Sequence, residues 1–141
     1  MTTDSNPWER ALGSLPDPRN AGRGGLDHDT DLYQDALHFI EQHVADWDLD
    51  QAQIAAQLNV STRTLNRMFA ERGETVQARI RWSRLSCACE ELIDPARLSH
   101  PVSEIGAGCG LSDPVLFSRQ FRHMFGMSPS EYRATNAGRF R

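Results

Sequence analysis

No stretch of this 141-residue chain approaches the roughly 18 consecutive apolar residues needed to cross a bilayer, which excludes a spanning helix. The opening MTTDSNPWER lacks the basic start and apolar middle of a secretory signal, so a cytoplasmic location is expected. Three cysteines, Cys87, Cys89 and Cys109, are too few for a disulfide framework. On a helix Cys87 and Cys89 would point to different sides, and no second paired motif completes a tetrahedral set. The expectation is therefore inert thiols, no metal and no cofactor. Lysine is missing altogether: every one of the 15 basic residues is arginine. Arginine's planar fork suits bidentate contact with phosphate or guanine, although a genome rich in arginine codons would leave the same mark.

What is present is an ordinary globular balance, 24% charged and 39% hydrophobic, in a chain long enough for one domain or two very small ones. A net charge of −4 argues against a nucleic-acid partner until it is divided along the chain. Residues 1–60 hold 3 Arg against 11 Asp or Glu, whereas residues 61–141 hold 12 Arg against 8 acids. Between Ser61 and Cys87, Arg63, Arg67, Arg72, Arg79, Arg81 and Arg84 are set against only Glu71 and Glu74. Such asymmetry is a footprint of a basic surface within an acidic chain.

Residues 1–28 read as a tail or linker, rich in Pro, Gly and polar residues, with a short helical turn around Pro7–Leu12. From Asp31 the pattern is helical: Leu32, Ala36, Leu37, Ile40, Val44 and Trp47 recur every three or four residues as one apolar stripe. Asp48–Asp50 supply a stop and a fresh cap. A short helix follows through Ile54, Ala55 and Leu58 to a turn at Asn59. Ser61 caps the next helix, with Leu65, Met68 and Phe69 inward and Gly73 closing it. A long helix over about Thr75–Asp94 directs Val76, Ile80, Leu85, Cys89 and Leu92 inward and stops before Pro95. Another short helix begins near Ser103, then a turn at Gly110 and a helix from Ser112 to about Phe125. After a turn at Gly126, Ser128-Pro129-Ser130-Glu131 forms a capping box with Pro at the first helical position. No strand pattern competes. The predicted fold is all-α, about seven helices.

IAAQLNVSTRTLNRMF (54–69) and IGAGCGLSDPVLFSRQF (105–121) then align as a repeat. Ile54 matches Ile105, Asn59 matches Gly110, Val60 matches Leu111 and Ser61 matches Ser112. After one inserted residue, Leu65-x-Arg67-x-Phe69 matches Phe117-x-Arg119-x-Phe121. Short helix, turn with positive φ and capped second helix is the helix-turn-helix order, in which the second helix enters the major groove. At 100° per residue Arg63, Asn66 and Arg67 oppose the core residues of the first copy. Pro114, Val115, Ser118, Arg119 and Arg122 lie outward or on the flanks of the second. Arg to guanine and Asn to adenine are favoured base-edge contacts. The long helix, about 20 residues and roughly 30 Å, comes near the ~34 Å repeat of the groove. It carries Arg79, Arg81 and Arg84 toward phosphates if that face meets the duplex.

Leu32 to Arg133, and GLSDPVLFSRQFRHMFGMSPSEYR above all, resembles the DNA-binding domain of AraC/XylS-type bacterial transcriptional regulators. The resemblance implies two helix-turn-helix subdomains, 29–73 and 96–135, joined by a linking helix over 74–95, with tails at 1–28 and 136–141. It implies a regulator that reads double-stranded promoter DNA in adjacent major grooves and contacts RNA polymerase. The family positions that reach DNA match Arg63, Asn66, Arg67, Pro114, Val115, Ser118 and Arg119, and the helix geometry adds Ser61, Thr62, Arg81, Arg84 and Arg122 to the expected DNA-binding residues. Family members usually carry an effector-binding or dimerisation domain, which residues 1–30 do not supply, so the chain reads as a C-terminal portion in preference to a truncated product or a small stand-alone regulator. Gly106 and Gly108, each ~1 kcal/mol worse than Ala in a helix, predict a soft second unit.

Two rivals are weaker. An enzyme finds no support: GAGCG lacks a preceding strand and a third glycine, the five histidines form no H-E-x-x-H, and neither a P-loop nor a G-x-S-x-G elbow is present. A helical protein-protein interaction module without DNA binding would use the acidic first half, and salt-dependent duplex binding separates the two readings.

Overall fold

Local signals account for most element boundaries in the computed structural model, which describes residues 27–136. The expected tails, with the turn at Pro7–Leu12, lie outside those residues apart from their inner ends. Among the described residues there are seven α-helices and no strand: α1 (Asp27–Gln42), α2 (Gln51–Leu58), α3 (Thr62–Ala70), α4 (Val76–Leu92), α5 (Val102–Gly108), α6 (Pro114–Phe125) and α7 (Pro129–Asn136). A 3-10 turn at Pro95–Arg97 follows α4. None of these helices is long and apolar enough to span a membrane.

α2 opens with a full capping box: the Gln53 amide donates to the Asp50 side chain at 2.9 Å, and the Asp50 amide donates to the Gln53 side chain at 3.3 Å. Its end is the left-handed Asn59, φ 61. Thr75 caps α4, and Ser128 with Glu131 forms the expected box at α7.

Two apolar cores result, sharing α4 between them. Tyr33, Ala36, Ile40, Ile54, Leu65 and Phe69 belong to the first, which takes Val76 and Ile80 from the start of α4. Leu85, Cys89 and Leu92 from its second half enter the other, with Ile105, Phe117, Phe121, Phe125 and Tyr132. Phe121 stands at that core's centre, its ring 5.8 Å from Phe117, 4.6 Å from Phe125 and 5.6 Å from Tyr132. At 17 residues α4 is about 25 Å long, shorter than the expected rod.

Three expectations need correction. α1 starts at Asp27 rather than Asp31 and stops at Gln42. Successive turns then carry the chain, with amides of His43, Asp46 and Leu49 donating to carbonyls three residues back. These turns break the helical phase, so Trp47 is 71% exposed and Leu49 takes the buried place. Tyr33, absent from the expected stripe, is fully buried. Finally, Asp113 rather than Ser112 caps α6, accepting from the amides of Val115 and Leu116. The inserted residue of the second repeat lets an aspartate and Pro114 start that helix instead.

Candidate nucleic-acid interface

The two short hairpins turn alike. In the first, Asn59 donates to the Ala56 carbonyl at 3.2 Å and Val60 to the Ala55 carbonyl at 3.0 Å. In the second, Gly110 donates to Ala107 at 3.1 Å and Leu111 to Gly106 at 2.8 Å. Each pair satisfies the last carbonyls of the short helix and redirects the chain into the next one.

On α3 the sides separate sharply. Ser61 caps it through the Thr64 amide, and Leu65, Met68 and Phe69 are fully buried. Ser61, Thr62, Arg63, Asn66 and Arg67 are exposed. Arg67 lies 3.8 Å from Glu71, a surface pair in which both side chains are more than half exposed. Such pairs contribute about 0–1 kcal/mol, so Arg67 is readily released to another acceptor.

On α6, Phe117, Phe121 and Phe125 point inward while Pro114, Val115, Ser118, Arg119 and Arg122 are exposed. Val115 is 67% exposed and Leu116 43%, giving this outward face an apolar tip. Arg122 donates to Glu131 at 3.0 Å. Glu131 also accepts from the Ser128 amide, which with the Ser128 side chain holds its carboxyl below the usual range.

The basic run between Ser61 and Cys87 divides. Arg79, expected near phosphates, is buried: it donates to Glu74 through Nε at 2.9 Å and Nη2 at 2.5 Å, and to the Tyr33 hydroxyl at 3.4 Å. Burial works against its charge, but the hydrogen bonds and charge of Glu74 outweigh that and raise its pKa. Tyr33, desolvated in the same cluster, is pushed up to about 12. Arg72 donates to the Met68 carbonyl at 2.8 Å and lies 4.2 Å from the centre of the Tyr33 ring. Arg84 donates to the carbonyls of Val44 at 3.3 Å and Asp46 at 2.6 Å, so it has a structural occupation beside any contact with DNA. Arg81 stays exposed. Among the described residues Arg63, Arg81 and Arg119 have no carboxylate partner.

Arg81 and Arg84 line a cleft of about 290 Å³ with Gln77, Trp47, Ser112 and Gln120. The first half of α4 and the start of α6 thus meet on one side of the molecule. Sequence reasoning missed Gln77, Gln120 and Trp47, which come together only through tertiary packing.

A family model described as a helix-turn-helix domain matches residues 54–135, taking in both hairpins and the helix between them. The chain belongs to the AraC/XylS family. Among AraC/XylS relatives, the transcriptional activator NphR of Rhodococcus sp is 34% identical over 110 residues, covering 78% of this chain and 32% of NphR. The regulatory protein SoxS of Escherichia coli strain K12 is 33% identical over 103 residues, covering 72% of this chain and 92% of SoxS. The chain spans about a third of the length of NphR, whereas its match takes in nearly all of SoxS. A crystal structure of the DNA-binding domain of AdpA, a global transcriptional factor, in complex with a target DNA superposes with a TM-score of 0.67 at 25% identity. That match covers 77% of this chain and 95% of the AdpA domain.

Proposed function

We propose that this chain is a sequence-specific DNA-binding part of a transcriptional regulator, inserting α3 and α6 into adjacent major grooves of promoter DNA. The exposed Arg63, Asn66 and Arg67, opposite a fully buried face of the same short helix, carry this reading. Arg67 and Arg63 suit guanine or phosphate, and Asn66 suits adenine. In the second unit Arg119 and Ser118 supply polar contact, and Val115 suits a thymine methyl. Pro114, with Ser61 and Thr62 at the start of the first reader, sits where a helix N-terminus meets backbone phosphates. Arg81, Arg84 and Arg122 serve phosphates, Arg84 and Arg122 with part of their donors already engaged. Contact with RNA polymerase follows by family resemblance.

The first unit carries most of the base discrimination, because its outward side is the more polar. Selection of bound duplexes from a random pool, followed by a salt titration, tests the whole reading. Log affinity should fall against log salt with a slope of about −3 to −5, as a few phosphate contacts require. No duplex binding at low salt would leave a protein-only interaction module instead. Arg67→Ala should weaken binding by about 1–3 kcal/mol and relax preference at one position, whereas a uniform loss across sequences would assign Arg67 to phosphate.

A further inference from the structure

Spacing puts Cys87 and Cys89 on different sides of α4, and the fold pairs Cys87 with Cys109, 22 residues away. Cys87 and Glu91 stand one turn apart on α4, and Cys109 ends α5 immediately before the turn at Gly110. The Cys87 and Cys109 sulfurs are 2.9 Å apart, and the Cys109 sulfur is 3.5 Å from Oε2 of Glu91. All three donor atoms lie within 4.8 Å of one another. Cys89 faces elsewhere, buried in the second core.

We propose that Cys87, Cys109 and Glu91 form a binding site for a thiophilic divalent cation of the zinc class. Tetrahedral zinc with sulfur ligands at about 2.3 Å needs its sulfurs about 3.8 Å apart, so these two must part by under about 1 Å. The carboxylate is already divided in use: Oε2 faces Cys109, while Oε1 lies 3.9 Å from Arg97 Nη2. Arg97 thus stands at ion-pair distance from the oxygen turned away from Cys109, and its Nε lies 3.9 Å from Asp94. Binding releases the two thiol protons to solvent, giving a centre of two thiolates, one carboxylate and one divalent cation with a net charge of −1. Arg97 balances that charge. A water molecule takes the fourth position. Entry is open: a groove of about 450 Å³ bordered by Val44, Trp82, Ser83, Ser86 and Glu90 reaches Cys87. Three ligands with a carboxylate favour zinc over copper(I), which is content with two thiolates.

The experiment titrates the reduced full chain with cobalt(II) and competes it with zinc, without DNA, so its outcome is independent of the DNA-binding reading. The expected result is one equivalent of tetrahedral cobalt with sulfur-to-metal charge-transfer absorption, displaced by zinc. Cys87→Ser, at a half-buried position, should abolish the band while circular dichroism remains helical. Glu91→Gln should weaken zinc by more than the about 10–100-fold typical of losing an outer partner. Cys89→Ser should retain full binding, and zinc should raise the Tm of the wild type but not of Cys87→Ser. A band that survives in folded Cys87→Ser, or zinc affinity indifferent to Glu91→Gln, overturns the proposal. So does reduced protein that binds no metal and instead loses two hydrogens to a Cys87–Cys109 disulfide on exposure to oxidised glutathione.

Discussion

The two hairpins make the same turn by different means. The first uses Asn59 in the left-handed conformation, Ala55 beneath it and Leu65 on the following helix, with Asp50 and Ser61 as caps. The second uses Gly110, Gly106 and Phe117 at the matching places, starts from Pro101 without a side-chain cap, and caps its second helix with Asp113. A larger ring thus stands opposite a smaller residue. A Cβ added to Gly106 would come 2.5 Å from Phe117 Cδ2, so this glycine makes room for the ring rather than loosening the helix. The interiors differ as well: the first unit encloses the Arg79–Glu74–Tyr33 cluster, the second a group of aromatic rings. One geometry tolerates several side-chain solutions, provided each is compensated at its neighbour.

Arg79→Met tests the first interior most severely. Removing one partner leaves Glu74 buried and short of its counter-charge, which should cost about 3–5 kcal/mol in urea denaturation. Arg81→Ala, two residues along on the exposed side, should stay within about 0.5 kcal/mol.

Exchanging the turn residues comes next. A Cβ at Gly110 would run into the Val44 carbonyl and lie 2.8 Å from Arg84 Nε. Gly110→Asn should therefore cost about 3 kcal/mol, the upper part of the overpacking range, while Asn59→Gly changes stability by under about 1 kcal/mol. Equal effects would mean the two turns are interchangeable.

Gly106→Ala should lose about 2 kcal/mol, and adding Phe117→Leu should cost less than the sum of the two single changes. Strict additivity in that double-mutant cycle would end the argument from size compensation. The smallest effect is a gain: a Cβ at Gly108 meets nothing within 4 Å, so Gly108→Ala should raise stability by up to about 1 kcal/mol, visible as a higher Tm.

The helices, most caps and both turns were legible in the sequence because their signals span four residues or fewer. Asn59, Ser61 and Ser128 announce their roles to their immediate neighbours. The Arg79–Glu74–Tyr33 cluster was not legible, since Tyr33 and Arg79 stand 46 residues apart and only packing selects which arginine is enclosed. Arg84 was hidden likewise, and so was the meeting of Cys87 with Cys109. Trp47 misled because periodicity continues on paper after a helix has ended in space. The outward residues of α3 were the easiest part of the candidate site, being fixed by the three core residues on the same short helix. Gly106 shows the reverse: its poor helix propensity was visible, but the ring that demands it was not.

The tight seat of Gly110 beneath the Val44 carbonyl, with Arg84 donating to the same loop, ties the second turn to the loop that leads into the first hairpin. These contacts link the scaffolds of α3 and α6, the two helices proposed to read DNA. One extra base pair between their targets rotates the far groove by about 34°, at 10–10.5 pairs per turn. On the reading of α3 and α6 proposed above, the interval between their targets becomes as much a part of the recognised message as the bases themselves.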